Sequence, residues 1–328
     1  MQRKTTTLLK LTLSLALLAA IVAYSGPREV LGALRSVNPA LIALGFGLLL
    51  ADALVRAFNW FQLLRNAGCK LPLGTVIHAY FVGGFVGALL PSTLGTDLAR
   101  SALAARAART PLELPLATAV LLNALSLAAI SAAGLCASLA LLASPSAPRA
   151  ALTAAAGVAA MCLLSIAVLW AGSRRPRKPE AAGSGSGWST RIRQRIEGFR
   201  AALVFRPAAQ AAAGIGSVAL LCYGLRTLGW LTLLAAAGAE VPWAVLLAIG
   251  PLITIGAALP ISRLGFGGYQ AIHVTLLGFW SVPAEQALAA SLLQSGLSVL
   301  LYGIGCAAYV AGGRKPITPG EPEPRGVS

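Results

Sequence analysis

Acidic residues are scarce in this chain. Ten Asp and Glu stand against 26 Lys and Arg in 328 positions, and charged residues together make up 11%. Soluble domains carry roughly 25%. With 57% hydrophobic residues and a mean hydropathy of +0.77, a soluble fold has too little polar surface to cover the apolar area. The expected class is an all-α polytopic membrane protein. Histidine is rarer still: His78 and His273 stand apart, which leaves zinc and haem without a ligand set. The five cysteines (Cys69, Cys136, Cys162, Cys222, Cys306) lie singly in or beside apolar runs with no CxxC spacing, as packing residues do. No Ser-His-Asp set, paired-carboxylate site or HExxH can be assembled, so no enzyme and no cofactor is expected.

The net charge of +16 is not the footprint of a nucleic-acid binder. Such binders interleave basic and aromatic residues on one surface. Here the basic residues gather at the ends of apolar runs, as positive-inside topology requires. With the N-terminus inside, the inside segments 1–10, 65–112, 172–206 and 314–325 hold three, five, nine and three Lys and Arg. Outside segments hold Arg28, Arg35, Arg149 and Arg263, and Arg56 and Arg226 fall within spans. Both termini are therefore expected in the cytoplasm.

Expected spans are 7–25, 39–64, 113–143, 150–171, 208–236 and 285–311. The first fits a retained helix better than a cleaved signal peptide, because the rest of the chain is itself apolar. Two further stretches, 75–98 and 243–281, are interrupted by Pro and Gly. They read as hairpins returning to their own side, or as two full spans each.

An internal repeat is the most informative feature. "RAFNWFQLLRNAGCKLP" (56–72) aligns with "RTLGWLTLLAAAGAEVP" (226–242) at an offset of 170. "LLPSTLG" (89–95) pairs with "LPISRLG" (259–265), and "LLNALS" (121–126) with "LLQSGLS" (292–298). Each unit has a span with Arg and Trp, a broken hairpin, and a span with an amide, Asn123 or Gln294. One extra span precedes each unit, so each half crosses an odd number of times and the second is inverted. Inverted repeats around interrupted helices are a transporter architecture with its site near the midplane. The organisation expected is a first half at 1–143, a span opening the second half at 144–171, a basic cytoplasmic linker at 172–206, the second repeat at 207–312, and a disordered tail at 313–328.

Pro91 removes a backbone donor and Gly95 permits positive φ, so the first hairpin helix should end there. Ser92, Thr93 or Thr96 is then placed to cap the next helix, whose N-terminus attracts anions. Pro260, Ser262, Gly265, Gly267 and Gly268 repeat the device. Two facing breaks make a cavity suited to an anionic headgroup; two ordinary kinked helices are the plainer alternative. Arg56 and Arg226 each need a partner: Asp52, one turn before Arg56, for the first, and a hairpin carbonyl or bound phosphate for the second. Asp97 and Arg100 share a helix face, as a cytoplasmic gate or proton-coupling acid, or as a surface ion pair. Arg263, alone on the outer hairpin, is a headgroup candidate. Tyr269, Gln270, Asn123 and Gln294 either line the cavity or bond between helices. "RIRQRIEGFRAAL" (191–203) reads as a basic interfacial helix or a simple inside loop.

These motifs resemble the lysylphosphatidylglycerol synthase transmembrane (flippase-like) family over residues 10–312. The family's Pro-x-x-x-Gly-Gly-Asp-x-x-Arg hairpin is matched by Pro91, Gly95, Asp97 and Arg100, with Thr96 in place of the second Gly. Its second hairpin ends in Gly-x-Gly-x-Arg-Glu, where this chain has Tyr269 and Gln270 at the last two positions. The resemblance implies a bacterial inner-membrane protein that moves lipids with polar headgroups. Lysyl transfer is not expected, since no soluble acyltransferase-like domain follows within these residues. The expected partners are membrane lipids with anionic or glycosylated headgroups. Arg56, Ser92, Asp97, Arg100, Asn123, Arg226, Ser262, Arg263, Gln270 and Gln294 are the candidate contacts. No ATP-binding motif is present, so movement should be passive or gradient-coupled, with Asp97 as a candidate proton carrier. The rival expectation is a scaffold for a glycosyltransferase or lipid-modifying enzyme.

Overall fold

The computed structural model describes residues 19–35, 37–89, 94–143, 152–163, 209–258 and 267–311. Its helices are α1 (Pro27–Arg35), α2 (Pro39–Asn66), α3 (Leu73–Leu89), α4 (Leu94–Ala108), α5 (Glu113–Leu142), α6 (Leu152–Leu163), α7 (Ala209–Ala236), α8 (Trp243–Ala258), α9 (Gly268–Gly278) and α10 (Ala284–Ala311). No strand occurs among the described residues. Four helices, α2, α5, α7 and α10, are long and apolar enough to cross a bilayer. The chain is an all-α polytopic membrane protein.

Local chemistry sets the ends of the long helices. Asn38 caps α2, its side-chain oxygen accepting from the Ala40 amide at 2.9 Å, and Pro39 occupies the first turn, where a missing N–H costs nothing. At the far end Gly68 takes φ 89°, Cys69 donates back to the Leu64 carbonyl at 2.9 Å, and Gly68 donates to Arg65 at 3.1 Å. This Schellman closure satisfies carbonyls that the helix leaves bare. α7 ends identically 170 residues later: Gly238 at φ 83°, Ala239 to Leu234 at 2.9 Å, Gly238 to Ala235 at 3.1 Å. The repeat seen in the sequence is thus a repeat of backbone geometry.

The two repeat-related helices pack on each other antiparallel. Gly45 meets Leu233, Leu48 meets Gly229, Asp52 meets Arg226, and the Asn59 side chain donates to the Ile215 carbonyl at 3.1 Å. Residue numbers rise on one side as they fall on the other, so the halves are related by inversion.

Each half also lends its last helix to the other's hairpin. Gly134 of α5 lies against Leu247 and Pro251 of α8, and Gly305 of α10 lies against Phe81 and Phe85 of α3. Phe81 and Pro251 are themselves 170 apart, so the two contacts are one contact made twice. Pro251 sits inside α8 and cannot donate to the Leu247 carbonyl four residues back. The Tyr223 hydroxyl from α7 donates to that carbonyl instead, at 2.6 Å.

α3 and α4 form a tight antiparallel hairpin. Gly83 faces the Arg100 backbone and Gly87 faces Thr96, with no room for a Cβ at either. This corrects the expectation for Gly95: it lies in the first turn of α4, not in the break, and Thr96 is inside that helix rather than capping it. The break itself, with Pro91, Ser92 and Thr93, lies outside the described residues, as do Pro260, Ser262, Arg263 and Gly265 in the second hairpin. The same holds for the basic linker and the tail. Gly267, at φ 88°, is the residue before α9, and Gly268 opens it. α1 occupies the outside segment between the expected spans 7–25 and 39–64; its Val30 is buried with Ile21 and Leu288 in a small apolar cluster.

Candidate functional site

The polar side chains that the spans carry are gathered rather than scattered. Asp52 falls at the middle of α2. Arg56 Nε lies 2.9 Å from its carboxylate, and Arg226 Nε, arriving from α7, lies 3.9 Å from the other oxygen. Arg56 and Arg226 are repeat partners, so the antiparallel packing brings the two equivalent cations to one acid. The repeat partner of Asp52 is Cys222, buried and uncharged in role. Among the described residues the halves therefore share a single carboxylate between two guanidiniums, which leaves one positive charge over. A lone Arg at a helix centre costs roughly 2.5–3.5 kcal/mol on insertion scales, so the surplus favours an anion.

The exposure of these groups shows which are open to a ligand. Asp52 is 9% exposed, whereas Arg56 and Arg226 are each 28% exposed. The carboxylate is enclosed, and the two arginine side chains are part-exposed. Arg226 also approaches the Thr254 hydroxyl of α8 at 3.5 Å, so its reach extends to the second hairpin.

A second polar group belongs to the first half. Asp97 accepts from Arg100 at 2.7 Å and from Asn123 of α5 at 2.7 Å. The Arg100 guanidinium lies over the rings of Trp60 and Tyr80, 5.2 and 5.3 Å from their centroids. Trp60 donates to Thr118 at 3.2 Å. Asp97 and Arg100 share one face and pair, as their spacing suggested. Arg100 is buried, so the pair is no surface ornament.

The second half answers with different chemistry. Gln270 of α9, the repeat counterpart of Arg100, donates to Ser295 of α10 at 3.0 Å. Gln294, one residue earlier, accepts through its backbone carbonyl from Ser298. Gln270 thus makes the interhelical bond that was one of its two expected uses, with Ser295 as the acceptor. Trp230, the partner of Trp60, stacks on His273 with ring centroids 4.0 Å apart and planes 11° apart.

Sequence reasoning missed the roles of Trp60, Tyr80, Thr118, Thr254 and His273. The repeat alignment held the signal for Trp60 and Trp230, which coincide in it. Tyr80, Thr254 and His273 have no like residue at the matching position, so self-similarity does not flag them. No group of three or more metal-ligating side chains occurs among the described residues.

No curated protein sequence matches the chain closely enough to count as a relative. The family model described as "Lysylphosphatidylglycerol synthase TM region" matches residues 8–306, which covers both repeats, the hairpins and the arginine pair. The chain belongs to the lysylphosphatidylglycerol synthase transmembrane-region family, membrane proteins related to lipid modification or transport.

Proposed function

We propose that this protein is a lipid translocase of the bacterial cytoplasmic membrane, with both termini inside, moving a lipid whose headgroup carries negative charge. The observation that carries this reading is the meeting of Arg56 and Arg226 on the carboxylate of Asp52, which among the described residues leaves one cation uncompensated between two inverted halves. A phosphodiester supplies the missing charge and bonds two guanidiniums by the planar fork that suits arginine. Inverted halves can rock about such a central site and open it to each side in turn. The chain needs no catalytic group for this. In the test, anionic phospholipid should co-purify with the wild-type protein and be lost, or exchanged for zwitterionic lipid, in Arg56→Gln with Arg226→Gln. Equal retention in the double variant would remove these residues from the site.

A second reading is a membrane scaffold for a glycosyltransferase or lipid-modifying enzyme. The nine basic residues of the 172–206 linker favour it, since such a segment suits an acidic partner surface. Deleting the linker separates the readings: a translocase core keeps moving lipid, and a scaffold loses its partner.

A further inference from the structure

α8 is weakened at one place, and α7 holds it on either side of that place. Pro251 takes one backbone hydrogen bond out of the helix. The Thr254 hydroxyl donates back to the Gly250 carbonyl at 2.9 Å, a bond that bends helices, so both devices act on the same turn. Gly250 has no Cβ, and the Tyr223 ring occupies the space that one would fill. The repeat counterparts of Gly250, Pro251 and Thr254 are Tyr80, Phe81 and Gly84, so α3 carries neither device.

Two side chains three residues apart on one face of α7 tie the two limbs of α8. The Tyr223 hydroxyl donates to the Leu247 carbonyl at 2.6 Å and fixes the limb before the break. Arg226 Nη1 reaches the Thr254 hydroxyl at 3.5 Å and holds the limb after it. Among the described residues no other side-chain hydrogen bond joins that second limb to a neighbouring helix. The two ties differ in strength. The first is short and joins neutral groups. The second is at the limit of hydrogen-bond length, and the other polar contact of Arg226, with Asp52, is also long at 3.9 Å. Arg56 Nε, by contrast, lies 2.9 and 3.0 Å from the two Asp52 oxygens. Arg226 is thus the less committed of the two cations. A cavity of about 320 Å³ adjoins the break, lined by Ile249 and Leu252 of α8 and by Leu276 and Phe279 of α9. A close-packed helix moves only where such free space exists.

We propose that Thr254 is a positioning residue of the anion site: it holds Arg226 while the site is empty, and α8 is released at Gly250–Pro251 when an anion takes the guanidinium. A phosphodiester binds the planar fork through two parallel N–H bonds, stronger than one long bond to a neutral hydroxyl. Arg226 Nη1 then leaves Thr254. The limb after the break loses its tie, while Tyr223 keeps the limb before it. The anion favours the released state because only there is the whole fork free to bind it, and that difference is what shifts the helix. The second hairpin thereby follows the occupancy of the site, and α3, which has no break, does not. This coupling rests on the anion site proposed above, with a lipid phosphate as the ligand.

The experiment measures amide hydrogen exchange by mass spectrometry on the full chain in nanodiscs of phosphatidylcholine, with and without phosphatidylglycerol. Phospholipid that stays bound on transfer to detergent is counted in the same samples and reports the anion site separately. Phosphatidylglycerol should speed exchange across residues 251–258 roughly fivefold, as the loss of one ordinary hydrogen bond allows, and leave the matching stretch 81–88 of α3 unchanged. Thr254→Val should exchange fast in both kinds of disc. Thr254→Ser, which keeps the hydroxyl, should respond as the wild type does. Retained phosphatidylglycerol with no change at 251–258 in the wild type would overturn the coupling and leave the anion site standing. A Thr254→Val protein that still responds would overturn it too. No retained phosphatidylglycerol would remove the anion site itself, and the coupling with it. The wild-type comparison decides the matter even where Thr254→Val fails to fold.

Discussion

Asp52 and Arg226 lie 3.9 Å apart across the antiparallel packing of α2 and α7, and the repeat turns that contact into Cys222 and Arg56 on the other side of the pseudo-twofold. The inverted repeat is thus complete in its cations and broken in its anion. One carboxylate serves both guanidiniums, whichever half donates it.

This relationship makes an exchange experiment possible. Asp52→Cys alone leaves two guanidiniums without a carboxylate and should cost about 3–5 kcal/mol, as breaking a buried pair from one side does. Adding Cys222→Asp restores an acid at the repeat-equivalent position, where Arg226 is four residues on and Arg56 is across the interface. The double variant should recover most of the loss, read as thermal unfolding in detergent. If it is no more stable than Asp52→Cys alone, the pseudo-symmetric reading of the pair is wrong.

The Tyr223 hydroxyl answers the carbonyl that Pro251 leaves free. Tyr223→Phe keeps the ring and removes the 2.6 Å bond to Leu247. The unsatisfied carbonyl should cost about 1–3 kcal/mol. Restoring a backbone donor with Pro251→Ala in the same protein should reduce that cost, measured as the difference between the two double-mutant arms. Equal losses with and without the proline would show that the bond matters for some other reason.

Glycine is required where α3 and α4 touch, and is dispensable where its Cβ would face open space. A Cβ on Gly83 would stand 2.7 Å from the Arg100 amide nitrogen, with backbone on the far side that has no room to move. Gly83→Ala should destabilise by about 1–3 kcal/mol, as overpacking does. Gly47 of α2 has open space at its Cβ, and Gly47→Ala should be neutral or stabilise by up to about 1 kcal/mol. Thermal scans of the two variants side by side check the contrast.

The membrane class, the long spans and the inverted repeat were legible in the sequence, because bilayer length and the 170-residue self-similarity both leave direct traces. The Asp52–Arg56 pair was legible too, since four residues on a helix make neighbours. The Arg226 partner was not: its acid lies 174 residues away, and only the antiparallel packing brings them together. α1 escaped because nine residues between two apolar runs look like a loop, whereas its buried Val30 seats it against Leu288. The first break was read as running from Pro91 to Gly95, one end of which the fold moves. Gly95 looked like a helix stop, yet the helix has already restarted at Leu94, and its small neighbours pack against Gly87. His273 was set aside for having no second histidine; its stacking on Trp230 emerges only from the fold.

The central claim is that Arg56 and Arg226 hold a lipid anion between the halves while it crosses. The most direct measurement is dithionite protection of fluorescent lipids in proteoliposomes, comparing anionic and zwitterionic headgroups for the wild-type protein and for Arg226→Gln. The account predicts faster loss of inner-leaflet signal with anionic lipid, reduced at least tenfold by Arg226→Gln in folded protein, a change of about 1.4 kcal/mol or more. Unchanged movement in that variant, or no movement of any lipid by folded wild-type protein, would contradict it.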